Sequence, residues 1–183
     1  MRTIIALTGA SGAIFGSEFV RLCPDEKYLI CSRCGKSVLA QETGLTVEDL
    51  AVDVKKVFAN DDLASPFASG SNPFDAMVIV PCSISTLSKI AAGVSDSLIT
   101  RAAAVALKER RKLVLCLRET PLSSVVIENM LKLSQAGAII MPVSPGFYQG
   151  AGTLEELARN FAERIAQVIG FEHNSTGWKK DRL

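Results

Sequence analysis

The chain has 183 residues, 48% of them hydrophobic and 21% charged, with a mean hydropathy of +0.27. This content excludes an intrinsically disordered chain, and the length suits one domain with a substantial core, not two catalytic domains. Twenty Lys and Arg against nineteen Asp and Glu leave a formal charge of +1, so no strong overall field favours nucleic acid or an anionic membrane.

In chain order, residues 3–7 form a short β-branched run after a single basic residue, Arg2. This reads as a first strand and not as a signal peptide, which would need a longer apolar core and a cleavage site. The glycine turn Thr8-Gly9-Ala10-Ser11-Gly12 follows, then a helical pattern to about Leu22. Residues 28–31 read as a second strand, with a helix from about Lys36. Residues 76–80, 113–117 and 138–141 are continuous apolar runs, as in strands covered on both faces. Between and after them lie helical patterns at 85–92, 98–109, 123–134 and 154–169. The alternation predicts a three-layer, flavodoxin- or Rossmann-like α/β fold: a parallel sheet with helices on both faces, in a single domain. Residues 172–183 form a polar tail. No uncharged apolar stretch reaches 18 residues, so no membrane span is expected, and the chain reads as cytoplasmic.

The five cysteines are Cys23, Cys31, Cys34, Cys82 and Cys116, an odd and scattered set that suggests no disulfide framework. Cys31 and Cys34 have CxxC spacing, but no second such pair exists and the only histidine is His173. Thiols buried as small hydrophobes are therefore expected, and no metal site.

In an open α/β sheet, ligands bind beyond the C-terminal strand ends. The loop after the first strand, with Gly16 one turn on, can bring backbone N–H groups and a helix start close to an anion, or can simply be a tight turn. It lacks the Gly-Lys-Ser/Thr of a P-loop. Neither Tyr28 nor Tyr148 begins a Tyr-x-x-x-Lys pair, which opposes a short-chain dehydrogenase. Pro81-Cys82-Ser83-Ile84-Ser85-Thr86 offers three hydroxyls at a helix start, suited either to capping or to an anion or ribityl contact. Arg118-Glu119-Thr120-Pro121 places a cation and an acid at an apolar strand's end, where Arg can grip a phosphate and Glu can act as general acid or base.

Taken together, these loops resemble the UbiX-like flavin prenyltransferases. The resemblance is carried by Thr8-Gly-Ala-Ser-Gly12, Pro81-Cys-Ser83 with Thr86, Arg101-Ala-Ala, Ala106-Leu-Lys-Glu-Arg-Arg111 and Leu117-Arg-Glu-Thr-Pro-Leu122. Glu128-Asn-Met-Leu-Lys132 and Pro145-Gly-Phe-Tyr148 continue the order, so it covers roughly residues 3–170. It implies a flavin-binding domain over residues 1–171 that attaches a dimethylallyl group to N5 and C6 of reduced FMN. The product would be the cofactor of a separate UbiD-type decarboxylase. No metal is implied. A dodecamer with sites at subunit interfaces is implied as well.

Carried over by position, the resemblance implies that Gly9, Ala10, Ser11, Ser32, Ser83, Ile84, Ser85, Thr86 and Arg118 bind FMN. Ser69, Arg101, Lys108, Tyr148 and Arg164 would hold dimethylallyl phosphate. Glu119, Lys108 and Tyr148 would assist phosphate departure, with Glu42 and Ser11 moving protons near the flavin. Donors of this kind can neutralise a leaving phosphate without a metal, and the basic residues Arg101, Lys108, Arg118 and Arg164 are expected to converge on it. The rival readings are a flavin-dependent peptidyl-cysteine decarboxylase, which relies on an N-terminal-region histidine that this chain lacks, and a non-catalytic FMN-binding subunit.

Overall fold

The computed structural model describes residues 1–24 and 26–171, so the tail at 172–183, with His173, lies outside the described residues. In chain order the elements are β1 (Arg2–Leu7), α1 (Ala13–Leu22), β2 (Glu26–Cys31), α2 (Arg33–Thr43), α3 (Val47–Ala51) and β3 (Lys56–Ala59). After a 3-10 turn (Pro66–Ala68) come β4 (Ala76–Cys82), α4 (Ile84–Ala91), α5 (Leu98–Lys108), β5 (Lys112–Leu117), α6 (Ser124–Gln135), β6 (Ile139–Ile140) and α7 (Leu154–Ile169).

The strands form one six-stranded sheet in the order β3-β2-β1-β4-β5-β6, with every pair parallel. This is the Rossmann order of the two that the sequence reading joined. The chain winds outward from β1 through β2 and β3, then returns and winds the other way from β4. The loops after β1 and β4 therefore diverge and leave a crevice above their C-terminal ends.

Strand side chains alternate between two cores, as the period of two requires. Ile4 and Ala6 of β1 join Met77 and Ile79 of β4 under α4, α5 and α6. Ile5 and Leu7 join Val78 and Val80 on the opposite face, against α1, α2, α3 and α7. Near the end of β4 the register against β5 shifts between Ile79 and Cys82, so that Cys82 rejoins the face of Ile79.

Helix α1 lies directly against the sheet backbone. A Cβ on Gly16 would fall 2.4 Å from the Val80 carbonyl oxygen, so only glycine lets this helix lie against the β4 backbone. On its outer side α1 packs on α7, where Phe15 meets Phe161 edge-on at 5.4 Å.

The elements missed by the sequence reading, α3 and β3, both fall within residues 45–59. β3 is a four-residue edge strand starting at Lys56, too short to display an alternation. α3 carries a legible sign, the capping box between Thr46 and Asp49. The second helix begins at Arg33, ahead of the expected Lys36, because Ser32 caps it by accepting the Gly35 N–H at 3.0 Å.

Candidate functional site

Above the switch point lies a cleft of about 590 Å³, within the range of small-molecule sites. It brings together Gly9, Ala10 and Ser11 from the β1 loop, Ser32 from the β2 end, and Ser83, Ile84, Ser85 and Thr86 from the β4 end. Arg118 and Glu119 from the β5 end complete it. Every position expected to bind FMN thus lines one cavity, although the residues come from four separate loops.

Thr8, almost fully buried, ties the first two walls together. Its hydroxyl donates to the Pro81 carbonyl at 2.8 Å and accepts the Ser83 N–H at 2.8 Å. Ser83 in turn accepts the Thr86 N–H at 3.3 Å as the cap of α4. Capping and cleft-lining are therefore not alternatives here, since the same hydroxyls do both. Gly9 is needed because its backbone passes so near α2 that an added Cβ would sit 2.4 Å from Cys34 Cβ.

Glu42 stands at the last turn of α2 and reaches the start of α1. Its Oε2 accepts the N–H groups of Gly12 and Ala13, each at 2.8 Å. The sequence reading left that helix start open to a ligand anion; the structure fills it with the chain's own carboxylate. Desolvation pushes the Glu42 pKa up, but hydrogen bonds from Ser11, Ala13 and Gly12 and the charge of Arg118 outweigh it, and the net direction is down. Glu42 is thus held as a carboxylate beside Ser11, although it does not itself line the cleft. Arg118 braces the same turn by donating from Nε to the Ser11 carbonyl at 3.3 Å.

The positions expected to hold an allylic phosphate lie outside this cleft. Arg101 donates from Nε to the Ala68 carbonyl at 2.8 Å, and Lys108 pairs with Glu109 further along α5, roughly 12 Å beyond the cleft-lining Thr100 at 1.5 Å per residue. Ser69, beside them, exchanges a hydroxyl hydrogen bond with Ser71 at 2.8 Å. Tyr148 lies 58% exposed with its ring folded over Gly146, and Arg164 is exposed on α7, bonded to Gln167 at 3.0 Å. α5 and α7 cover opposite faces of the sheet. The expected convergence of Arg101, Lys108, Arg118 and Arg164 on one phosphate does not occur within one chain.

The cleft is also lined by Arg33 and Cys34 and by residues that sequence reasoning did not single out: Asn60, Lys89, Asp96, Ser97, Ile99 and Thr100. Ser97 and Thr100 form a capping box at the start of α5, a pattern visible in the sequence. Asn60 had no such sign, yet its carbonyl and Oδ1 accept the N–H groups of Leu98 and Ile99 at 2.7 and 3.1 Å. Lys89 and Asp96 form an ion pair at 2.6 Å.

Cys23, Cys31, Cys82 and Cys116 are buried as expected, but Cys34 is exposed on the cleft wall. Burial pushes the Cys31 thiol up to about 12, opposed by the charge of Lys36, so that the CxxC pair holds a protonated sulfur. Among the described residues no group of three or more His, Cys, Asp or Glu side chains is placed to hold a metal, and no helix is long and apolar enough to cross a membrane.

A doubly wound sheet with a hydroxyl-lined, glycine-walled cleft at its switch point defines an α/β protein of the nucleotide- and flavin-binding class. Residues 1–166 match the family profile named Flavoprotein. The chain is 43% identical over 171 residues to the flavin prenyltransferase UbiX of Thermoplasma acidophilum, covering 93% of this chain and 95% of that one. Its fold matches AnUbiX (PadA1) in complex with FMN and dimethylallyl pyrophosphate, with TM-score 0.92 and 37% identity over 97% of this chain and 98% of that one. A dodecameric FMN-dependent UbiX-like decarboxylase from Escherichia coli O157:H7 matches with TM-score 0.92 and 37% identity, over 97% of this chain and 100% of that one. The chain belongs to the Flavoprotein family and, within it, to the flavin prenyltransferases of the UbiX type.

Proposed function

We propose that this protein transfers a dimethylallyl group from dimethylallyl monophosphate to reduced FMN. The single observation that carries the reading is the gathering of Gly9, Ala10, Ser11, Ser32, Ser83, Ile84, Ser85, Thr86 and Arg118 around one cleft at the switch point. The cavity suits a flavin mononucleotide: glycine lets the wall approach a flat ring, and serine and threonine hydroxyls answer a ribityl chain and phosphate. When bound, reduced FMN supplies the nucleophilic atoms N5 and C6.

The chain's residues supply the rest. Glu119 sits at the cleft rim, its Oε1 accepting the Thr120 N–H at 3.0 Å. In this reading it delivers a proton to the departing phosphate as the allylic C–O bond breaks and the electron pair leaves with oxygen. Ser11 and the ionised Glu42 accept the proton released as the new N–C bond forms. Arg101, Lys108, Tyr148 and Arg164 neutralise the phosphate.

Since α5 and α7 lie on opposite sides of the sheet, those phosphate ligands come from more than one chain. We therefore assign the protein to a homo-oligomer, a dodecamer by likeness to the Escherichia coli structure. Exposed apolar side chains support a buried contact: Val125, Ile127 and Leu131 of α6 and Phe147 are 63%, 52%, 59% and 81% exposed in the single chain. Five cysteines held in no disulfide suit the cytoplasm. The product would pass to a UbiD-type decarboxylase.

The test is anaerobic incubation with reduced FMN and dimethylallyl monophosphate, followed by mass spectrometry. A flavin heavier by one C5 unit is expected; unmodified FMN alone, from folded protein, overturns the reading.

A further inference from the structure

We infer that Arg111 is a positioning residue for the allylic-phosphate site: it clamps the loop that carries Ser69 against the basic edge of α5. The inference rests on the prenyltransferase reading and adds to it a residue that lies outside the cleft.

Across residues 68–72 the carbonyls of Ala68, Gly70 and Asn72 are taken by arginines from α5 and the turn that follows it. Arg101 donates from Nε to the Ala68 carbonyl at 2.8 Å. Arg111 forks across the next two turns of backbone, donating from Nη2 to the Gly70 carbonyl at 2.7 Å and from Nη1 to the Asn72 carbonyl at 3.2 Å. The face of its guanidinium lies over the buried Phe74 ring, 4.5 Å from the centroid. Phe74 is itself anchored edge-on to Phe67 of the 3-10 turn at 5.9 Å. One planar group thus ties the C-terminal half of the loop, Gly70 and Asn72, to the core, a geometry that the single ammonium of lysine cannot reproduce.

The clamp decides where Ser69 stands relative to the cations. Lys108 and Glu109 press so closely on Gly70 that an added Cβ would fall 2.5 Å from Lys108 Nζ and 2.3 Å from Glu109 Oε1. With Gly70 held there, Ser69 follows the Ala68 carbonyl bound by Arg101 and precedes the Gly70 abutted by Lys108, and the terminal nitrogens of Arg101 make no hydrogen bond among the described residues. In the prenyltransferase reading those donors, the Ser69 hydroxyl and the Lys108 ammonium act together on a phosphate monoester. Arg111 touches neither those groups nor the flavin cleft.

The experiment compares the parent with Arg111→Ala and Arg111→Lys. Three quantities are read: flavin affinity by fluorescence quenching, backbone hydrogen exchange of residues 66–74, and the split between KM for dimethylallyl monophosphate and kcat. For Arg111→Ala we expect flavin Kd within about twofold of the parent, because the cleft walls are untouched. Exchange in 66–74 should quicken at least tenfold, with KM raised about tenfold and kcat changed less. Arg111→Lys should lie between the two, and it carries the test if the alanine variant fails to fold. Faster exchange with an unchanged KM, or unchanged exchange, overturns the role of Arg111. Absence of the C5 adduct from the parent overturns the prenyltransferase reading, and the role of Arg111 falls with it.

Discussion

Glu42 Oε2 lies 2.8 Å from the backbone nitrogen of Ala13. A carboxylate on one helix thus occupies the anion site at the start of another, 29 residues earlier in the chain. That contact joins stability to chemistry, since the acid that would accept a proton from the flavin also caps α1.

Glu42→Gln is expected to lower stability by about 1 kcal/mol, the usual worth of a lost N-terminal cap. In a domain of this size that is about 2–4 °C in Tm. The folded-state pKa of Glu42 is depressed. Its contribution is therefore fully present above the ordinary carboxylate range and is lost as pH falls through the lowered folded value. The gap in Tm between parent and variant should be widest near pH 7 and close on acidification below the ordinary carboxylate range. A gap that grows toward low pH would contradict this assignment.

Thr8→Val keeps the shape of the side chain but removes its hydroxyl, leaving the buried Pro81 carbonyl and the Ser83 N–H each short of a partner. A loss of about 1–3 kcal/mol in urea denaturation is expected. Weaker flavin binding should accompany it, because the same hydroxyl holds the β1 and β4 walls together. Full retention of both properties would show that the walls are set independently.

Gly16→Ala sets two effects against each other. Helix propensity favours alanine by about 1 kcal/mol. The new Cβ, however, would lie 2.4 Å from the Val80 carbonyl oxygen, a backbone atom that cannot swing aside. Overpacking of this kind costs about 1–3 kcal/mol or more. Net destabilisation is therefore expected in thermal melts, and a stabilised variant would mean that α1 can slide on the sheet.

Asn60→Ala removes the side-chain acceptor for the Ile99 N–H at the start of α5. About 1 kcal/mol of stability should be lost, and the Kd for FMN should rise several-fold as Ser97 and Thr100 lose their fixed positions on the cleft wall. Asn60→Asp, which keeps an acceptor, should restore most of both. Equal weakening by Asp and Ala would point to a need for the amide itself.

Lys108 and Arg164 cannot meet within one chain. Lys108→Ala and Arg164→Ala homo-oligomers should each be nearly inactive, yet mixing them through a cycle of dissociation and reassembly should restore part of the activity. In mixed oligomers some sites receive both intact residues. Failure to recover any activity, with mixed assemblies confirmed by native mass spectrometry, would place both residues in the site of a single chain.

Much was readable from local pattern alone. The apolar runs of β1, β2, β4 and β5 announced themselves because strands buried on both faces must be hydrophobic throughout. Glycines 9 and 16 were read as a turn open to an anion, whereas the close approaches they permit are to Cys34 and to the Val80 carbonyl. The loops that line the cleft were legible because they sit at strand ends, where this class of fold keeps its ligands. Short elements were less so: β6 was expected over 138–141 but pairs only at Ile139–Ile140.

Sequence by itself, then, determined the parallel α/β fold and the strand-end loops with their glycines, since each depends on the period or conformational needs of neighbouring positions. The individual cleft positions Ser32, Ser83, Ser85 and Thr86 were assigned by family resemblance. Tertiary structure alone decided that Glu42 fills the α1 terminus and that Asn60 caps α5. It also separated the face of Arg101 and Lys108 from that of Arg164. Those relations join residues distant along the chain, and which of them meet depends on strand order and on which side of the sheet each helix packs.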